Sequence, residues 1–273
     1  MAGGPHAEPV SADGSGPAYW DGISDRLTGH YYHDATIGRL KRDAHLRLIA
    51  RWCPDLAGQS LLKTDLFEEA HGPDQFLFDL PRGGLRAGID ISPLIARRAR
   101  IRAAEAGAPA VPLAADVLAL PFRSAAFDVI VSNSTLDHFA DAAGIPAALA
   151  ELHRVLRRGG ILLITLDNPR SLSYLAGLLK RRLRPDPYFL GHTLSRDALV
   201  ATLTRVGFRV TDTTAILHGL ENHSSAAMRL AARVGGRRLP AAIGALLAAV
   251  ERLEAAPTRY LTGAFVAARA VKP

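Results

Sequence analysis

The chain has one cysteine, Cys53, in 273 residues, so no internal disulfide can staple it. A basic stretch followed by an apolar core and a cleavage site is also missing from the N-terminus, and the expected location is the reducing cytoplasm. No apolar run approaches the ~20 residues that a membrane-spanning helix needs; the best candidate, AAIGALLAAV, is roughly half that, which excludes integral membrane insertion. Aromatic residues make up only 6% and form no stripe of the kind that stacks bases. The net charge of +7 comes from arginines scattered along several expected helices, and it is read as solvated helix faces with no nucleic-acid partner. His30 and His33 stand too close together and too isolated from other donors to hold zinc, so no metal is expected. Internal repeats and low-complexity linkers are absent, and nothing in the sequence speaks to oligomeric state.

What is present is a full core's worth of hydrophobic residues, 48%, arranged in alternating strand and helix patterns. Residues 1–17, rich in Gly, Pro, Ala and Ser, read as a tail, and residues 18–273 as a single domain. Apolar residues at helical spacing (Ile37, Leu40, Leu46, Ile49, Trp52) predict N-terminal helices over about 18–57. Strands are expected at SLLKTD, ending at Asp65, then at about 86–91, 110–116, 127–133 and 161–166, with helices over about 93–106 and 142–156 between them. Ser92 and Pro93 suit the N-cap and first turn of the first of these helices. A helix from Leu194 stopped by Gly207, the strand FRVTDTTAIL, helices within about 220–261 and a last strand TGAFVAARAV complete the order. The alternation is that of a doubly wound, Rossmann-like α/β sheet, which binds ligands outside the carboxyl ends of its strands.

Those ends are polar. Asp90, beside Ile91, closes the second strand, where a carboxylate can accept both hydroxyls of a ribose; it could equally serve the dipole of the helix that follows. Asp116, one strand later, can accept from an adenine amine while the backbone N–H of Val117 meets a ring nitrogen. Asn133, Asp137 and His138 follow the fourth strand, and Asp167 and Asn168 follow the fifth at the rim where a substrate would sit. Asn-Pro is also an ordinary turn former.

Taken in order, GIDIS, AADVLALPF, FDVIVSNSTLDHF, ELHRVLRRGGILLIT and TRVGFRV make the chain resemble the class I S-adenosylmethionine-dependent methyltransferases over about residues 45–215. TGAFVAARAVKP fits that family's last strand. The resemblance implies a seven-stranded sheet, mostly parallel with an antiparallel last strand, and S-adenosylmethionine lying across strands one to four. Asp90 would hold the ribose, and Asp116 and Val117 the adenine.

The first turn departs from the family. A Gly-rich turn is usual there because only glycine lets backbone amides approach the cofactor's methionine part. Here LLKTDLFEEAHGPD puts Asp65, Phe67 and Glu69 at the Gly positions and Lys63 where the acid is expected. The turn could engage the cofactor's ammonium through Asp65 or Glu69, or its acids could cap the next helix with cofactor binding weakened. A nicotinamide enzyme, which needs the Gly-rich turn more strictly, is excluded.

Methyl transfer is an in-line displacement that rests largely on positioning. If the acceptor is a hydroxyl, His138 is the candidate base, with Asp137 to orient it; His138 could instead only hydrogen-bond a loop. Tyr31, Tyr32 and His33 of GHYYHD could line a lid over the substrate, or simply sit at a half-buried helix surface. The basic runs KRRLR (Lys180–Arg184) and GGRRLP could draw an anionic substrate or a membrane surface, although such runs are usually solvated. The expectation is transfer of methyl to an O, N or C atom of a small molecule such as a natural product, sugar or lipid-like intermediate. The alternative is a protein of this fold that binds a partner or ligand without transfer activity.

Overall fold

The computed structural model describes residues 16–27, 35–72, 74–183, 189, 191–218 and 238–273. Most of the tail, Tyr31, Tyr32 and His33, and the side chains of Lys180–Arg184 lie outside them, as do most of GGRRLP and the helices expected between residues 219 and 237.

Seven strands form one sheet: β1 (Leu61–Lys63), β2 (Arg86–Asp90), β3 (Ala110–Ala114), β4 (Phe127–Asn133), β5 (Leu156–Asp167), β6 (Arg209–Ile216) and β7 (Phe265–Val271). Their order is β3-β2-β1-β4-β5-β7-β6, and β7 alone runs antiparallel to its neighbours, pairing with β5 and β6. This is the expected architecture. The order reverses beside β1, so the ends of β1, β2 and β4 border one crevice.

Helices cover both faces. α5 (Gly144–Val155) and α7 (Arg196–Val206) bury Ile145, Leu149, Leu152, Leu199 and Leu203 against one face. α2 (Ala35–Trp52) and α4 (Pro93–Glu105) bury Leu48, Ile49, Ile95 and Ala99 against the other. A strand covered on both sides has no reason to alternate, which is why β4 reads as an apolar run. α4 starts as expected: Pro93 is its first residue and the Ser92 hydroxyl accepts from the Ile95 amide at 3.0 Å. Gly207, at φ 110°, closes α7 in a conformation that a side chain would strain. The remaining described helices are α1 (Pro17–Arg26), α3 (Phe67–His71), α6 (Leu172–Leu183), α8 (Arg238–Val250) and α9 (Arg259–Thr262).

Three strand ends differ from expectation. β1 stops at Lys63, two residues before Asp65, because the Lys63 ammonium folds back onto the Asp65 carbonyl at 2.5 Å. β3 stops at Ala114, and Asp116 turns the chain by accepting from the Leu118 amide at 2.8 Å. β5 starts at Leu156, well before Ile161, since Leu156 pairs with Phe127 across a register shift.

Candidate active site

The first turn is built around charge. Lys63 is fully buried, with its Nζ 2.7 Å from Glu69 Oε2 and 3.2 Å from Glu68 Oε2. Lys41 on α2 lies 3.2 Å from Glu68 Oε1 and 3.4 Å from Asp74. Burial alone would strip Lys63 of its proton, but Glu69 first, then Glu68 and Asp65, outweigh it and hold its pKa above the usual lysine range. Burial opposes the charge on Glu68 as well; Lys63 and Lys41 overcome it and push that pKa down.

Glu69 is bonded on both oxygens within the protein. Its second oxygen accepts from the Phe76 and Leu77 amides at 3.3 and 3.1 Å, so the carboxylate is consumed beneath the turn. Leu66 drops into the core, and β2 yields to it: a Cβ on Gly88 would stand 2.4 Å from a Leu66 methyl.

Above this layer the crevice is rich in acceptors. Asp90 takes the Ser92 amide at 2.9 Å and the Leu66 amide at 3.2 Å, leaving further lone pairs on both oxygens. Burial pushes its pKa up to about 7, against the pull of those two amides. Asp65, half-buried, accepts from the Phe67 amide at 2.6 Å. Its pKa is pushed well up, by burial first, then by Glu68, with Asp90 adding to the effect. Asn133 lies two residues beyond Val131, the register partner of Lys63, as Asp65 lies two beyond Lys63 itself. The Asn133 Oδ1 is buried and has no hydrogen-bond partner among the described residues. Asp116 follows β3, whose Ala114 pairs with Asp90, and the Ala115 amide donates to the Asp90 carbonyl at 2.8 Å. Val117 packs into the core through its side chain.

Beyond β4, His138 donates from Nδ1 to the Phe189 carbonyl at 3.1 Å, because a carbonyl can only accept. The neutral ring then carries its lone pair on Nε2, which lies 4.0 Å from Asp137 Oδ1. Asp137 is fully buried: its Oδ2 takes the Ser134 hydroxyl at 3.0 Å and the Asp167 amide at 2.8 Å, while Oδ1 has no hydrogen-bond partner among the described residues. Asp167 thus helps to hold Asp137. Asn168 does not face the rim. Its side chain bonds the Tyr260 and Gly263 carbonyls at 2.8 and 2.9 Å and the Arg170 amide at 3.1 Å, tying α9 to the sheet.

Helix α1 supplies residues that the sequence did not mark. Trp20 stands edge-on to His138 at 4.9 Å and to Phe67 at 6.3 Å. Asp21 accepts from the Leu94 amide at 3.1 Å and from the Ser92 hydroxyl, and the Tyr19 hydroxyl accepts from the Phe189 amide. α1 therefore joins the first turn, the start of α4 and the His138 turn. The pair Tyr19-Trp20 just after the Gly/Pro-rich stretch was the available signal.

These residues suit S-adenosylmethionine. The acceptors Asp65, Asn133, Asp90 and Asp116 match a ligand whose ammonium, ribose hydroxyls and adenine amine are all donors, and buried carboxylates favour its cationic charge. Ligand binding is expected to depend on pH. Affinity for S-adenosylhomocysteine should rise by up to about tenfold per pH unit toward pH 7 as Asp90 ionises, then level off. The Asp65 pKa is raised as well, and Asp90→Asn should flatten the Asp90 contribution. Calorimetric titrations across this range would test the point, and a flat wild-type curve would refute it. In the ligand-free protein the sign reverses: a carboxyl held above its ordinary 3.8 makes stability fall as pH rises from there to about 7.

Residues 70–164 match the methyltransferase domain family. A methyltransferase of Encephalitozoon cuniculi is 31% identical over 120 residues, 40% of this chain and 55% of that protein. A tRNA (carboxymethyluridine(34)-5-O)-methyltransferase of Xenopus tropicalis is 49% identical over 49 residues, 18% of this chain and 8% of that enzyme. The chain thus spans about half of the first relative and less than a tenth of the second. A solved S-adenosylmethionine-dependent methyltransferase of Thermotoga maritima shares the fold at a TM-score of 0.60 and 17% identity, over 92% of this chain and 99% of that one. Residues 70–164 thus match a methyltransferase domain, and the chain has the fold of solved S-adenosylmethionine-dependent methyltransferases.

Proposed function

We propose that the protein transfers a methyl group from S-adenosylmethionine to an oxygen, nitrogen or carbon of a small molecule. The observation that carries this is the pair of carboxylates, Asp65 and Asp90, gathered at the ends of β1 and β2, with Asp90 raising the cost of charge on Asp65 and burial raising it on both. A donor-rich cation relieves that cost. Asp65 and Asn133 would hold the ammonium, Asp90 the ribose, and Asp116 with the Val117 amide the adenine. When bound, the cofactor supplies an electrophilic methyl. His138 would take the acceptor's proton on Nε2, with Asp137 balancing the charge that results.

Two other readings each have an observation behind them. The amides of Leu66 and Phe67 already donate to Asp90 and Asp65, which favours a binding protein without transfer activity. The 49-residue match to a tRNA methyltransferase favours an RNA acceptor, which predicts binding that weakens steeply with salt. Titration with S-adenosylhomocysteine separates the first pair: low-micromolar binding that Asp90→Ala abolishes supports the enzyme, whereas no heat and no thermal shift supports the binding protein.

A further inference from the structure

The helix that follows β5 carries an apolar face that the crevice does not use. On α6, Leu172, Leu175, Leu178 and Leu179 are 62%, 52%, 43% and 64% exposed. At helical pitch these four fall within an arc of about 120°. α9 touches α6 and adds Leu261, 52% exposed. Leucines scattered singly over a surface are ordinary, but five on two adjoining helices form a patch. The sequence of the helix ends in Lys180, Arg181, Arg182 and Leu183, Arg184 follows in the sequence, and from Asn168 to Pro185 there is no acid.

We propose that α6 is an interfacial anchor that lays this face on an anionic lipid surface. Lipid accepts both halves of the pattern: leucines enter the boundary between headgroups and acyl chains while the basic end meets the headgroup charge. RNA would take the bases but gain nothing from the leucines. A second copy would cover the leucines but bring its own net charge of +7. Among the described residues no helix is long and apolar enough to cross a membrane, so the association is one of lying on the surface. Because α6 starts five residues after β5 ends, docking would bring the carboxyl ends of the strands near the lipid. If the methyl-transfer reading holds, the acceptor is a lipid-borne molecule.

Flotation with phosphatidylcholine vesicles, with and without phosphatidylglycerol, tests the proposal. The wild-type chain should float with the anionic vesicles only, and less so as salt rises. Leu175→Glu combined with Leu179→Glu should weaken flotation by at least about tenfold. Both positions are exposed, so the melting temperature and S-adenosylhomocysteine binding should stay unchanged. The proposal is overturned if wild type ignores anionic vesicles, if the double variant floats equally well, if the substitutions instead dissolve a dimer on size-exclusion chromatography, or if RNA competes equally in wild type and variant. Failure to bind S-adenosylhomocysteine would remove the transfer reading and leave the vesicle result standing.

Discussion

Lys63→Met is expected to destabilise the fold by about 3–5 kcal/mol, because it strands the Glu69 and Glu68 carboxylates in the interior. Glu69 is the more exposed to this loss in energetic terms: its side chain is wholly buried, and its remaining partners are the two backbone amides of Phe76 and Leu77. Glu68 keeps Lys41 at 3.2 Å. Combining Lys63→Met with Glu69→Gln should recover most of the loss, since a glutamine carbonyl still accepts from those amides and carries no charge. Urea unfolding of both variants is the measurement. A single-variant loss below about 1 kcal/mol would mean that water or a rearranged turn compensates Glu69, and that the network does not organise the turn.

His138→Gln is expected to lower kcat by about 10²–10⁴-fold toward a hydroxyl acceptor while leaving cofactor affinity nearly unchanged. The tautomer set by Phe189 directs the proton to Nε2, and Asp137 stands ready to stabilise the imidazolium. A second readout does not depend on turnover. Of the two tryptophans, Trp52, the last residue of α2, is buried in the core, whereas Trp20 touches the imidazole. Trp20 emission should therefore differ between wild type and His138→Gln, reporting loss of the imidazole from its edge. Equal turnover in the variant would end its role as a base.

The sheet was legible because its strands are buried on both faces and their ends are marked by single polar residues. Asp90 was readable for that reason, as was the helix after it, since Ser92 and Pro93 signal a helix start by local chemistry. The first turn was only half legible. Its lack of glycine was plain, but Glu69 and Glu68 were indistinguishable from surface acids until the Lys63 ammonium was seen beneath them, at spacings of six and five residues that no helix periodicity connects. Asn168 failed similarly, because its partners, Tyr260 and Gly263, are more than ninety residues away in the chain. Trp20 and Asp21 act only through long-range docking of α1, which local sequence does not encode.

That docking bears on traffic through the crevice. A nucleoside heading for Asp90 meets a helix fastened by Asp21 to the start of α4 and by Trp20 to the imidazole on the far bank. If the transfer reading holds, entry and exit should wait on the same unfastening, so that spent cofactor leaves no faster than α1 lifts. Loosening Asp21 would quicken exchange while costing the chemical step its enclosure.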